Sequence, residues 1–451
     1  MEFQAVILCG PGKNLHPITT GTTKALLPVV NKPLVAYALD FCGKAQFASV
    51  TIAIAEPELD AVQAAVKAYL EKTKSKIAPQ FIGLPLNAPS GSVLSVLDRA
   101  GKINPQLDIV VLPCDFLTNL DPEPLISAVR SQDDSTAITG FYYQNKVETL
   151  DLKTLHPQIL LHSVGDDAEL LLDSYERNAV QMAKVMKVRM AMLWQFSHVV
   201  ASMDLLQSSI FFLSRKLLAL PEGELDVEQE ISKVIRDVAR RTWRHRDRKE
   251  TVVLQRLSDP EFLRANNLAA YVEANRRMLR NHARVQQQMH MQQLQDSSDV
   301  SKREPGQAMI GNDSVVGEAT VVGERSSVKR TAIGSNCTIG KKCRLNGCVI
   351  LDGVKIGNDV TLENTIVGAD AVIEQKSRLV GCSVEGHYRV VSETEAKNEL
   401  LKGLSMEGID DDEFGDMYES LSESSGDDEE EDEEEEEYED DDGEDDLFDR
   451  S

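Results

Sequence analysis

Apolar positions along the chain change period twice. Phe3 to Leu8 is apolar at all but one position and runs into Cys9-Gly10-Pro11-Gly12, the pattern of a buried strand that ends in a glycine-rich loop. Leu34 to Phe41 has helical spacing, Ser49 to Ala55 reads as a strand and Glu58 to Leu70 as an amphipathic helix. Ile109 to Pro113 is again a strand, followed by Cys114 and Asp115. This alternation predicts the α/β class, a Rossmann-like domain with a mostly parallel sheet. Helical spacing dominates Asp226 to Ala239 and Asp259 to Leu294, and the Gln/Met/His-rich run Gln286 to Gln295 reads as a linker. From Ile310 the period becomes six, as in Val316-Gly317-Glu318-Ala319-Thr320, Ile333-Gly334-Ser335-Asn336-Cys337 and Ile356-Gly357-Asn358-Asp359-Val360. Such repeats predict a left-handed parallel β-helix, with aliphatic residues along the axis and small ones, including Cys337 and Cys343, packed inside. The register fades after Val384, with five-residue steps at some corners. The expected division is 1–225 for the α/β domain, 226–305 for a helical extension and linker, 306–391 for the β-helix and 392–451 for an acidic tail.

Charge separates the tail from the rest. The net charge of -26 resides in Glu407 to Ser451, which holds 27 acidic residues and a single arginine, leaving 47 acidic and 47 basic residues before it. A neutral body argues against direct nucleic-acid binding. Its densest basic run, Arg240 to Lys249, is a solvated helix end or an anion contact. The tail composition predicts disorder, since it offers too little apolar surface to offset ordering entropy. Two roles are open for it: solubility, or docking of a lysine-rich partner with Ser420, Ser422, Ser424 and Ser425 as phosphorylation sites. Seven cysteines without paired spacing predict reduced thiols, and no run approaches the ~20 apolar residues of a membrane span, so the expected place is the cytosol, away from membranes.

Chemistry centres on Leu8 to Thr19 with Lys24-Ala25-Leu26-Leu27-Pro28, on Pro89-Ser90-Gly91-Ser92 and on Asp115. Glycine in such a loop lets backbone N–H groups approach a phosphate closely. Asp115, at a strand end, is either a Mg²⁺ ligand or a turn residue, and Lys24 is either a phosphate-binding lysine or a surface one. The segments resemble the motifs of the sugar-nucleotide pyrophosphorylases, with Gly10, Gly12, Lys24 and Gly91 as a degenerate nucleotide loop and Asp115 at the metal position. Cys9 replaces the first glycine, Asn14 stands where the arginine is expected, and no F-x-E-K-P element lies between Phe116 and Leu220. Loss of a cation that stabilises developing charge typically costs orders of magnitude in rate, so no catalytic residue is assigned.

Leu263 to Arg276 reads as an amphipathic helix with Leu268, Tyr271 and Val272 inward. Its residues Arg264, Asn266, Asn267, Tyr271, Glu273, Asn275 and Arg276 are also similar to an element of the gamma subunits of eukaryotic translation initiation factor 2B. Over roughly residues 1–391 the domain order resembles that family. The resemblance implies a non-catalytic regulatory and assembly subunit that needs no cofactor, with residual nucleotide or Mg²⁺ binding left open. It also implies direct pairing with an epsilon subunit in a hetero-decamer that holds two copies each of alpha, beta, gamma, delta and epsilon. The complex exchanges GDP for GTP on initiation factor 2, is inhibited when that substrate's alpha subunit is phosphorylated, and carries its exchange domain on epsilon. The alternative is a mannose-1-phosphate guanylyltransferase or its regulatory paralogue. An acyltransferase reading of the coil has only His387 to offer as a catalytic histidine.

Overall fold

The computed structural model describes residues 3–146, 150, 155, 158–165, 168–218, 226–244, 250–257, 262–293 and 308–403. The acidic stretch from Glu407 onward with its four serines, and positions 245–249 of the basic run, lie outside the described residues. After β1 (Phe3–Leu8) the chain forms a hairpin, β2 (Pro28–Val29) and β3 (Lys32–Pro33), and enters α1 (Leu34–Ala45). β4 (Ser49–Ala55), α2 (Leu59–Thr73), β5 (Gln80–Leu84), α3 (Ser92–Arg99), β6 (Asp108–Pro113), β7 (Phe116–Leu117), α4 (Pro122–Arg130) and β8 (Thr136–Gln144) follow. β9 (Gln158–Val164) and β10 (Glu169–Glu176) precede α5 (Arg177–Ala183), α6 (Met190–Gln195), β11 (Val199–Ser202) and β12 (Leu205–Leu213). The next elements are α7 (Arg215–Leu218), α8 (Ile231–Arg244), β13 (Thr251–Arg256), β14 (Leu263–Arg264) and α9 (Leu268–Gln293).

Ten of these strands share one sheet, in the order β11-β9-β10-β13-β8-β12-β6-β1-β4-β5. The β6-β1-β4-β5 part is parallel, as expected, and carries the glycine-rich loop at its carboxyl edge. Beyond β6 most neighbours are antiparallel, so the sheet as a whole is mixed. β6 is buried on both faces, which explains its unbroken apolar run: Val110 and Leu112 enter one core with Phe212, and Ile109 and Val111 enter the other with Phe211. α8 covers the second face with Ile231, Val234, Ile235 and Val238 at helical spacing.

Two expectations for 226–305 change here. β13 inserts between β10 and β8, so this stretch contributes a strand to the first sheet as well as helices. The Gln/Met/His-rich run read as a linker continues α9 as far as Gln293, because glutamine and methionine are good helix formers and no glycine or proline interrupts them.

The repeat winds into three parallel sheets of six, six and five short strands. One coil takes 17 residues, as in the step from Lys341 to Asn358. Val328, Leu345, Leu362 and Leu379 stack along the axis, and Cys337, Cys343, Cys348 and Cys382 are buried with them. The coil passes its expected end and includes Glu395–Lys397 and Leu400–Leu401. Val390 and Ala396 still point inward there, but the glycine that follows the aliphatic residue in Ile339-Gly340 and Ile356-Gly357 is replaced by Glu385 and Val391, so the sequence signature of the repeat is lost while the coil continues.

Candidate functional site

β1 and β6 are parallel neighbours, so the loops that follow them open at the same edge of the sheet. Gly12 has φ +72°, and an added Cβ would come 2.9 Å from the Lys24 Cβ, so the loop requires glycine there. Gly10 faces open space. Asn14, at the expected arginine position, is exposed, whereas Cys9 is buried beside Cys114 at the strand ends. A hydrogen bond from the Cys9 thiol to Cys114 raises the first and lowers the second.

Asp115 is fully buried and bound by two cations from distant parts of the chain. Lys24 Nζ donates to Oδ2 at 2.5 Å, and Arg264 donates from Nε to Oδ1 at 3.0 Å and from Nη2 to Oδ2 at 3.1 Å. The remaining Arg264 nitrogen, Nη1, donates to Ser209 Oγ at 2.6 Å, and the Ala265 amide donates to the Asp115 carbonyl at 2.8 Å. Burial alone would raise the Asp115 carboxyl, but Arg264 and then Lys24 outweigh it and hold the group far below the usual carboxylate range. The carboxylate is therefore ionised, bidentate to arginine and neutralised from within.

This arrangement does not fit a divalent cation. Both Asp115 oxygens are already bonded to cationic groups, and among the described residues no cluster of three or more His, Cys, Asp or Glu side chains could hold a metal. A second closure lies at Gly91, where the resemblance expects an amide free to meet a nucleotide. The Gly91 N–H donates instead to the Gln229 carbonyl at 2.9 Å, and the Ile231 N–H donates to Ser90 Oγ at 2.9 Å. Gln229 O and Val227 O both lie where a side chain on Gly91 would be, so the segment before α8 covers the start of α3.

Of the predicted residues, Lys24, Asp115 and Arg264 come together, with Gly12 directly under Lys24. Arg264 was legible as part of the Arg264–Arg276 element, but its pairing with Asp115 across 149 residues was not. The rest of the element works as a clamp. Asn267 Oδ1 caps α9 through the Ala270 N–H at 2.7 Å, and the buried Asn266 Oδ1 has no hydrogen-bond partner among the described residues. Tyr271 Oη donates to the Pro28 carbonyl at 2.5 Å, and Asn275 Oδ1 accepts the Val30 N–H at 3.0 Å. Glu273 pairs with Arg280 at 2.7 Å, and Arg276 reaches Asn364 of the coil at 3.1 Å. Val30 and Asn31, the hairpin tip between β2 and β3, have φ of 50° and 59°, the turn that a tight hairpin needs. Asn31 Nδ2 donates to Ile333 O in the coil at 2.9 Å. Leu27, Val29, Tyr271, Val349, Leu351 and Ile366 form one apolar cluster joining hairpin, helix and coil.

Residues 4–149 match the family model for nucleotidyl transferases, and residues 295–395 match that of the EIF2B subunit epsilon LbH domain. Taken in this order, the two matched regions resemble the domain arrangement of the eIF2B epsilon/gamma family. The chain is also similar to the translation initiation factor eIF2B subunit gamma of Schizosaccharomyces pombe (strain 972 / ATCC 24843), with 26% identity over 224 residues. That match covers 49% of this chain and 47% of the relative, so the chain spans about half the length of the curated protein it matches. The nucleotidyl-transferase-like fold thus surrounds a carboxylate already bound by two cations of the same chain. Among the described residues no helix is long and apolar enough to cross a membrane.

Proposed function

We propose that this chain is a non-catalytic, gamma-type subunit of the eIF2B guanine-nucleotide exchange complex. In this role it pairs directly with an epsilon subunit, helps assemble the hetero-decamer with alpha, beta and delta, and promotes GDP-to-GTP exchange on initiation factor 2 in the cytosol. Exchange chemistry belongs to another subunit, and inhibition by phosphorylation of the substrate's alpha subunit acts on the whole complex. The observation that carries this reading is the Lys24–Asp115–Arg264 cluster, a closed set of charges where a pyrophosphorylase needs an open one. A nucleotidyl transferase must leave its carboxylate for a metal and its cations for a triphosphate.

The test is an affinity pull-down of the tagged chain from its own cytosol, with mass spectrometry and a GDP-release assay on the eluate. Four companion eIF2B subunits and GDP release from initiation factor 2, absent with the purified chain alone, are the expected result. A homo-oligomer that makes GDP-mannose from mannose 1-phosphate and GTP would overturn it and install the guanylyltransferase reading.

A further inference from the structure

The ten-stranded sheet has two edges, and they are finished differently. At β5 the strand is bracketed by Pro79 and Pro85, and Lys102 Nζ donates to the Phe81 carbonyl at 2.7 Å. These are the usual devices that keep an edge from pairing with another chain. At β11 none is present. Val199-Val200-Ala201-Ser202 carries neither charge nor proline, and among the described residues only β9 pairs with it.

The segment leading to β11 is apolar and exposed. Trp194 is 81% exposed, Met182 76% and Met190 56%, with Leu193, Val200 and Met203 also open to solvent. Their neighbours Met192, Phe196 and Val199 pack on a small core around Trp243, so this segment is folded onto the domain and presents its outer side. Five of the chain's twelve methionines lie between Arg177 and Met203, a side chain that adapts its shape to a bound partner. The same stretch contains Arg177, Lys184, Lys187 and Arg189 and no acidic residue. Lys184, Lys187 and Arg189 are exposed, and no ion pair joins them to another described residue.

The geometry points to β11 and the Met182–Trp194 surface as a docking site for an extended acidic protein segment with apolar anchors, which adds as a strand beside β11. Main-chain hydrogen bonds to the free edge supply affinity, alternate apolar side chains settle against Trp194 and Met190, and the intervening carboxylates meet the basic side chains. This surface is separate from the Asp115 cluster and does not depend on the role proposed for that site.

The test uses the full chain and fluorescein-labelled twelve-residue peptides with alternating Glu and Leu/Phe. A Lys-for-Glu version and a Ser-for-Leu/Phe version are the controls. The expected result is binding of the acidic amphipathic peptide alone, weakened by salt, with slowed hydrogen exchange at the amides of 199–202. Trp194→Ala should weaken it about tenfold. Lys187→Glu with Arg189→Glu should do the same while the circular-dichroism melt stays unchanged. Equal binding of acidic and basic peptides would overturn the proposal, as would unchanged affinity in Trp194→Ala. Self-association of the peptide-free chain that Trp194→Ala abolishes would also overturn it, because a second copy would then be the occupant.

Discussion

Asp115 and the β11 edge depart from the ordinary rule of charges outside and apolar groups inside, in opposite directions. At Asp115 an ionised carboxylate is fully buried, yet its two cationic partners satisfy it, with side chains only 11% and 18% exposed. At β11, apolar side chains and one row of backbone groups face solvent without a partner among the described residues. At the first site both carboxylate oxygens are engaged by cations of the same chain. The second has its binding capacity unspent. A nucleotidyl-transferase-like fold can thus keep a buried carboxylate bound to its own cations while an apolar strand edge stays open elsewhere.

The largest expected effect comes from breaking the buried cluster. Arg264→Ala strands Asp115 with Lys24 alone and should cost about 3–5 kcal/mol, read as a lower urea midpoint with unchanged slope. An effect below about 1 kcal/mol would mean that water enters the site and that it is open after all. The pH dependence sharpens the point. The depressed folded pKa of Asp115 means that its stabilising contribution is complete above the unfolded carboxylate value near ~4 and is lost as pH falls through the lower folded value. The stability difference between wild type and Asp115→Asn should therefore stay flat from about pH 8 to 5 and shrink only below about 4. Gly12→Ala should cost about 1–3 kcal/mol through its positive φ and the Lys24 contact, whereas Gly10→Ala in the same loop should be nearly neutral. Tyr271→Phe removes one hydrogen bond to Pro28 and should cost about 1 kcal/mol, measured by thermal melt. Trp194→Ala closes the series, with a change within about 0.5 kcal/mol, as suits an exposed side chain whose use lies in binding.

Sequence periodicity located the strands and helices whose pattern is local. β1 and β4 fall on the predicted residues, and α1 extends past Phe41 until Gln46 turns it off in the left-handed region. The coil was legible because its residues repeat every few positions, and it vanished from the pattern where Glu385 and Val391 take the place of the glycine that follows the inward aliphatic residue. The half of the sheet beyond β6 had no comparable signature, since β13 joins β8 in parallel and β10 antiparallel across more than a hundred and about eighty residues respectively. Long-range pairing hid the site as well. Lys24, Asp115 and Arg264 each stood in a recognisable segment, but nothing local says that two cations meet one carboxylate. Gly91 was recognisable as a small residue at a helix start, but the carbonyl of Gln229 over it was not.

The hairpin tip at Val30 and Asn31 bears on how the protein is made. Val30 waits for an acceptor 245 residues downstream, and Asn31 for one 302 residues downstream. A chain emerging from the ribosome has its glycine-rich loop, β1 and β4 in hand long before α9 and the coil exist to cover Leu27 and Val29. Until then those apolar residues have only the neighbours of their own domain, such as Leu15, Ile18 and Leu34, to cover them. Completion of the first domain is in this way tied to synthesis of the last, and a message truncated before Ile333 would yield a product with an unfinished and adhesive surface.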